Sequence, residues 1–549
     1  MKILIIGPSW VGDMVMAQTL FQCLQQRHPG CAIDVLAPEW SRPILERMPA
    51  VRQTLSFPLG HGVLEIATRR QIGKGLAGQY DQAILLPNSL KSALVPFFAG
   101  IPKRTGWKGE LRYGLLNDIR VLDKDRYPLM IERFMALAFE PGAELPKPYP
   151  RPSLQIDPAS RAARIQAGAL GPELEAQLKP HQLTLRHFPQ SFEFSTLGGW
   201  IVTRAGGHYA TLHTHIDDFV EATRLVTPSG VMQTRRLPGS GAGPAPDRLV
   251  LGSEGTLGVL TEAWVRLQNP PRFRASASVK FSDYFTAAQC VRVLAQSSLN
   301  PSNCRLLDPL ETVFSGVGNG SHAVLVLAFE SADHPLQAWM ARALELVSEY
   351  GGRYDAEAVQ RSMADQDSSE HRSGAAGAWR DAFLRMPYWR DPAVGQGVIM
   401  DTFETAITWE RFAEFYNNVK ADMARAIQQA TGHPGQLTCR MTHVYPDGPA
   451  PYFTLAARAA DGSVASALSA WREIKQAANE AVIRHGGTIT HHHAVGRDHR
   501  SGYEQEVDPL FRRMLQAAKH SVDPQGILNP GVLFDPLNRP LGITGALAR

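Results

Sequence analysis

The sequence is short of several features that would class it quickly. Five cysteines in 549 residues (Cys23, Cys31, Cys290, Cys304 and Cys439) show no metal-binding spacing. They are too scattered for a disulfide scaffold, so reduced thiols in a cytoplasmic protein are expected. The net charge of +4 is small for this length and gives no nucleic-acid signal. No apolar run approaches the roughly 20 residues that span a bilayer. The opening MKILIIG is too short for a signal-peptide core and runs straight into a glycine loop. A spanning helix is therefore not expected, while peripheral contact with the inner face of a membrane stays open, as does oligomerisation. Neither a GxGxxG fingerprint nor a Walker loop is present near the N-terminus. A chain this long exceeds one small core, so three or more domains or subdomains are expected.

Residues 1–150 alternate strand and helix signals. Lys2–Ile6, Cys31–Ala37 and Gln82–Leu86 are apolar runs of strand length, and Met14–Gln26 and Lys91–Ala99 read as helices. That alternation predicts a parallel sheet with helices on its faces and a ligand at the carboxyl ends of the strands. In the first loop, GPSWVGDM, Asp13 falls near a helix start, where a carboxylate is also favourable as a plain first-turn charge. Pro141 to Pro158 is proline-rich and reads as a linker.

Phe188 to Leu267 is different in kind. Gly198, Gly199, Gly206, Gly207, Gly252, Gly255 and Gly258 are interleaved with Ser195, Thr196, Thr203, Ser253 and Thr256. Glycine lets backbone amides approach a ligand, and hydroxyls add neutral donors, so the stretch suits a pyrophosphate. Two ordinary turns between strands would also give this pattern. Beyond it, Ala275–Phe281, Asn303–Leu307 and Ala323–Phe329 read as strands, and Ala287–Ser297 and Leu336–Tyr350 as helices. This order predicts an antiparallel sheet with helices on one face. Residues 352–380 read as a surface loop. A helix over 466–485 would place Leu468, Trp471, Ile474, Ala478 and Val482 on one face. Three adjacent histidines, His491, His492 and His493, would alternate sides in a strand and could not all reach one ion, so no metal is expected.

Two resemblances sharpen these readings. The motifs IIGPSWVGDMVMAQTL, PLGHGVLEI, LPNSLKSALVPFFAGIPKRTGW and RYGLLNDIRVLDKDRYPLMIERF make residues 1–150 similar to the N-terminal half of the ADP-heptose:lipopolysaccharide heptosyltransferases. That resemblance implies that Asp13 is a catalytic base toward an acceptor sugar hydroxyl. It also implies a second, donor-binding domain, which does not follow residue 150. The motifs PQSFEFSTLGGWIVTRAGG and LGSEGTLGVLTEAWVRL resemble the vanillyl-alcohol-oxidase-type FAD enzymes, in the alkyldihydroxyacetonephosphate synthase branch. FAD is the cofactor this implies. Its contacts would be Gln190, Ser191, Phe192, Glu193, Phe194, Ser195 and Thr196; Thr203, Arg204, Ala205 and Gly206; and Gly252, Ser253, Glu254, Gly255, Thr256, Leu257 and Gly258. Gln190 departs from the acidic residue more usual there. The family's first FAD subdomain, with its glycine-rich pyrophosphate loop, is not found.

The same resemblance implies catalytic roles for Tyr452 as acid/base and for His491, His492, His493 and Arg305, with Arg390 binding substrate. The activity implied is exchange of the acyl group of acyl-dihydroxyacetone phosphate, a lipid-like phosphorylated molecule, for a long-chain alcohol. An oxidoreductase of 2-hydroxy acids, a heptosyltransferase and an inactive fusion of two incomplete enzymes remain alternatives. The fold expected is α/β plus α+β. A Rossmann-like parallel sheet over 1–150, half of a glycosyltransferase-B fold, leads through a join at 151–157 to a partial FAD-binding α+β domain over 158–270. An antiparallel-sheet cap domain with a closing segment would fill 271–549.

Overall fold

A computed structural model describes the chain apart from residues 10, 46–47, 49, 59–63, 148, 150–153, 210, 365–389, 391 and 536–549. Most of the PLGHGVLEI motif, part of the join and much of the 352–380 stretch lie outside the described residues. The chain divides into two compact units, Met1–Ser153 with Val226–Val231, and Leu154–Leu225 with Met232–Arg549.

The first unit is built on a six-stranded sheet: β1 (Lys2–Ile6), β2 (Ala32–Pro38), β3 (Val51–Phe57), β4 (Gln82–Leu85), β5 (Lys103–Trp107) and β6 (Asp118–Arg120). Its order is β3-β2-β1-β4-β5-β6 with parallel pairing throughout. Ile3, Leu4 and Ile5 are wholly buried, as a strand covered on both faces demands. The expected helix over Met14–Gln26 is two, Val11–Met16 and Gln18–Arg27.

The second unit holds one sheet entirely and most of another. The smaller has β7 (Leu154–Asp157), β8 (Ala162–Gln166), β9 (Val220–Thr227), β10 (Gly230–Gln233) and β11 (Val259–Arg266) in the order β10-β9-β11-β8-β7. The last residues of the proline-rich stretch are thus a strand, antiparallel to β8.

The larger sheet has β12 (Phe273–Phe281), β13 (Asn303–Leu307), β14 (Ala323–Ser331), β15 (Arg353–Tyr354), β16 (Val398–Glu404), β17 (Gln436–Val444) and β18 (Pro449–Arg458). Its order is β15-β12-β14-β13-β17-β18-β16. Successive residues point to opposite faces of a strand. One face sends Cys304, Leu306, Cys439, Met441, Phe453, Leu455 and Phe403 into a large core with helices Tyr284–Gln296, Gln337–Glu349, Phe412–Thr431 and Val464–Arg484. The alternate positions carry Arg305, Arg440, Tyr452 and Glu404, each almost fully buried. A polar row under cover is unusual, because each charge loses hydration unless it is paired. The parallel first sheet and antiparallel cap agree with the expected composite architecture. The surface loop expected over 352–380 is corrected in part, since Ala356–Ala364 is helical.

Candidate active site

The polar row is set by strand register. Leu307 pairs Arg440, Arg440 pairs Tyr452, and Tyr452 pairs Glu404, so these side chains stand in line across β13, β17, β18 and β16. Arg440 donates from Nη1 to Glu311 Oε1 at 2.7 Å and to Thr454 Oγ1 at 3.1 Å. Its guanidinium carbon lies 3.8 Å from the centroid of the Tyr452 ring, a desolvated cation–π contact. The Tyr452 hydroxyl donates to Thr402 Oγ1 at 3.1 Å. Burial raises the Tyr452 phenol above its ordinary range, against the opposing pull of Arg440, so it is neutral near pH 7. Arg305 donates from Nη2 to His208 O at 2.6 Å, and its Nη1 lies 3.2 Å from His208 Nδ1. Burial, with the Arg440 charge beside it, pulls the Arg305 guanidinium down to about 9.

The histidine run is held at the end of this row. Glu404 accepts from the backbone amides of His491 at 2.9 Å and of His492 and His493 at 3.0 Å, and also from the Thr490 hydroxyl. Three successive amides aimed at one carboxylate form an anion-binding nest. Residues 491–493 are therefore a bend and not a strand. The premise that the three rings alternate sides does not hold, and His491 and His492 turn toward His443.

His492 Nδ1 lies 3.2 Å from Glu404 Oε2. His491 Nε2 lies 2.7 Å from the Tyr445 hydroxyl and 3.2 Å from His215 Nε2. His443 donates from Nε2 to Gly207 O at 2.9 Å. A strand irregularity between Met441 and His443 re-aims that ring. Burial, then the neighbouring imidazoles, holds His443 and His491 well below the ordinary histidine range. Burial takes His493 down to about 3 against the opposing charge of Glu404. Burial alone would raise Glu404, but the histidines and donors around it outweigh that and keep it ionised.

The glycine loops adjoin this cluster. A Cβ on Gly206 would lie 3.0 Å from His492 Cβ and 3.2 Å from His443 Cε1, so a larger residue would have to push these side chains back by a few tenths of an ångström. The 252–258 loop docks beside the 201–204 segment through Gly252 N to Ile201 O (3.3 Å) and Glu254 N to Val202 O (2.8 Å). Gly252 and Gly255 have φ of +75° and +74°, which glycine adopts without strain.

Several candidates already serve the local structure. Ser195 Oγ accepts from Trp200 Nε1 at 2.6 Å, and Thr196 caps helix Leu197–Thr203. Thr203 donates to Gly199 O, Arg204 pairs with Asp217, and Glu254 accepts the amides of Val495 and Gly496. Phe194 is largely exposed. Ser253 Oγ differs, being buried with no hydrogen-bond partner. A glycine-rich loop with one unsatisfied hydroxyl fits a dinucleotide cofactor.

Two candidates stand apart. Arg390 is exposed and pairs at 3.9 Å with Asp401, which Trp471 and Lys475 also hold. None of its described contacts is with Tyr452 or the histidines. Asp13, in the first unit, lines a cavity of about 460 Å³ with Gly7, Arg69, Lys91, Ser92 and Glu110. It lies beside β1 and β4, where the strand order reverses, the expected ligand crevice of such a sheet.

Family models match in three places. FAD linked oxidases, C-terminal domain, matches residues 270–533. FAD binding domain matches 149–235, and glycosyltransferase family 9 (heptosyltransferase) matches 69–180. The alkyldihydroxyacetonephosphate synthase of Caenorhabditis elegans is 30% identical over 409 residues, covering 70% of this chain and 67% of the relative. The chain belongs to the alkyldihydroxyacetonephosphate synthase family. A solved alkyldihydroxyacetonephosphate synthase superposes with a TM-score of 0.54 at 23% identity, over 69% of this chain and 65% of that one, which shows the fold.

The N-terminal part has a separate likeness. Lipopolysaccharide heptosyltransferase 2 of Escherichia coli is 55% identical over 179 residues, 32% of this chain. The chain spans about half the length of that relative, 51%.

Within the alkyldihydroxyacetonephosphate synthase family member described here, sequence reasoning missed Glu404, Arg440, His443, Tyr445 and His215. An acid ending the strand-like run VIMDTFE was a signal for Glu404. The others carry no spacing that marks them, because register and the histidine bend bring them together.

Proposed function

We propose that the second unit acts as a flavin-dependent alkyldihydroxyacetonephosphate synthase, exchanging the acyl group of acyl-dihydroxyacetone phosphate for a long-chain alcohol. The observation that carries this reading is the convergence of Tyr452, Arg440 and the Glu404-held histidines on one buried face that meets the glycine loops through Gly206. The flavin would be held by residues 190–196, 203–206 and 252–258, and when bound it would supply an electron-poor ring for the reaction.

In this reading Tyr452, neutral and hydrogen-bonded to Thr402, exchanges a proton with the carbon beside the substrate carbonyl. The cationic Arg440 on its ring face stabilises the phenolate that this exchange requires. The neutral imidazole of His493 can accept a hydrogen bond from the alcohol hydroxyl. Arg305 supplies positive charge for the phosphate or the developing enolate. Overall the bond from carbon to the acyl oxygen breaks, the fatty acid leaves as carboxylate, and the alcohol oxygen takes its place as its proton is released. No net oxidation occurs. Substrates with long chains place the work at a membrane face. Among the described residues no helix is long and apolar enough to cross a membrane, so peripheral contact is proposed.

The test is a flavin absorption spectrum after gel filtration, followed by acyl-for-alcohol exchange. Retained flavin and exchange activity that falls by about 10²-fold or more in Tyr452→Phe are expected. Flavin reduction by a 2-hydroxy acid without exchange would replace the reading with an oxidoreductase. Absence of bound flavin would leave the family's fold without its chemistry.

For the first unit, the Asp13 cavity supports acceptor-sugar binding, with Asp13 as base toward a hydroxyl. Titration with a heptose-bearing acceptor tests this. Equal affinity in Asp13→Ala would count against it.

A further inference from the structure

Beyond the exchange chemistry, we propose that His443, His491 and His492 form a binding site for one divalent transition-metal ion of the zinc class. One ring nitrogen from each lies within 4.8 Å of the others. Tetrahedral zinc with bonds of about 2.0–2.1 Å places its ligand nitrogens about 3.3 Å apart, within reach of small ring rotations.

Each ring is already oriented through its other nitrogen. His443 spends its only proton at Nε2 on the Gly207 carbonyl at 2.9 Å. Its Nδ1 lone pair is left buried with no partner. An unmet buried acceptor is destabilising, and a bound cation would satisfy it. His492 has Nδ1 at 3.2 Å from Glu404 Oε2, so that donation to the carboxylate frees Nε2. His491 has Nε2 at 2.7 Å from the Tyr445 hydroxyl and Nδ1 at 3.0 Å from His492 Nδ1. Imidazoles whose second nitrogen is tied to a carbonyl, a carboxylate or a hydroxyl are the usual outer arrangement of metal-bound histidine.

Charge and ligand type agree. The buried Glu404 carboxylate supplies one negative charge behind three neutral imidazoles, leaving a bound divalent ion with a net +1. Imidazole nitrogen suits Zn²⁺, Cu²⁺ or Ni²⁺ and disfavours Mg²⁺ and Ca²⁺, which take oxygen ligands. Three protein ligands leave a fourth position open, as in catalytic and not structural zinc sites. The inference shares the site of the proposed exchange reaction but requires no flavin, so metal and flavin are scored separately in one sample.

The experiment uses the full chain, stripped with a chelator and desalted. It is then loaded with Zn²⁺, or with Co²⁺ for its visible d–d bands, and passed through gel filtration. Elemental analysis should give about one metal per chain, and Co²⁺ should show tetrahedral band intensity. His443→Ala and His492→Ala should each weaken binding by about 10-fold or more. Glu404→Gln, which keeps all three ligands, should weaken it by about 10- to 100-fold. His485→Ala, at a histidine tied to Asp422 elsewhere, should change nothing. Circular dichroism checks folding, and His492→Ala carries the test if His443→Ala or Glu404→Gln fails to fold. Metal well below one per chain would overturn the proposal. So would one bound metal that none of the three site variants displaces.

Discussion

Glu404 shows how much one side chain organises. It faces Tyr452 across the sheet and gathers four donors from Thr490 through His493. Glu404→Gln keeps the shape but removes the charge and turns an NH2 toward backbone donors. Breaking such a buried charged network costs about 3–5 kcal/mol, so the denaturation midpoint should fall and exchange activity should fall with it. Unchanged stability would mean the carboxylate does not hold the bend.

His187 makes a different residue-scale prediction. Burial, with His215 nearby, takes its imidazole down to about 3, and neither ring nitrogen has a partner. Its folded pKa is depressed below the unfolded value of about 6.5. The unfolded chain then binds more protons, and stability is lost as pH falls from about 6.5 toward 3. His187→Phe should flatten that slope by about 1.4 kcal/mol per pH unit near pH 5, read by denaturant melts of both proteins. Parallel slopes would show that the ring is not held neutral. Tyr452 and the histidine run were legible through the family motif. Their partners Glu404, Arg440 and His443 were not, since each contact joins residues distant along the chain.

At the scale of elements, alternation decides which face becomes chemistry. Strands β13, β17, β18 and β16 place Cys304, Cys439, Phe453 and Phe403 toward the helices and Arg305, Arg440, Tyr452 and Glu404 away, with the period of two that a pleated strand imposes. In the sequence that period shows only in Asn303–Arg305, whereas Ala323–Phe329 is apolar throughout. The period cannot show which neighbours pair, so the polar row appears only with the register.

Helix Val464–Arg484 shows a finer failure. The expected apolar face included Leu468, yet Leu468 is 47% exposed while Ala467, Ala470, Ile474, Ala478 and Val482 are buried. Small alanines line the packed stripe, and a count of large apolar side chains shifts the stripe by a fraction of a turn. Ile474→Ala should cost about 2–5 kcal/mol through a core cavity, whereas Leu468→Ala should stay within about 0.5 kcal/mol. Equal costs in a chemical-denaturation series would restore the expected face. Ala356–Ala364 was missed as a helix because the Ser-, Asp-, Ala- and Gly-rich composition of 352–380 as a whole masked AEAVQRSMA, whose residues are mostly helix formers.

At the scale of the whole molecule, dense motifs made both resemblances legible, and the question left to physics is whether the flavin segments suffice. Three stretches from different parts of the second unit must act together, and a ligand that binds only the folded unit stabilises it by mass action. At 100 times its Kd, FAD should add about 2.7 kcal/mol to unfolding. Ser253 separates cofactor binding from simple packing. Its hydroxyl is buried without a partner, and an unmet polar group of that kind costs about 1–3 kcal/mol. Ser253→Ala should therefore raise stability by about 1 kcal/mol when no flavin is added, within that range, and reduce the further gain when FAD is added. Opposite signs in the two melts are expected of a residue that donates to the cofactor. A gain in both, of equal size, would make Ser253 an ordinary packing position and remove the one hydroxyl in the 252–258 loop that still asks for a ligand.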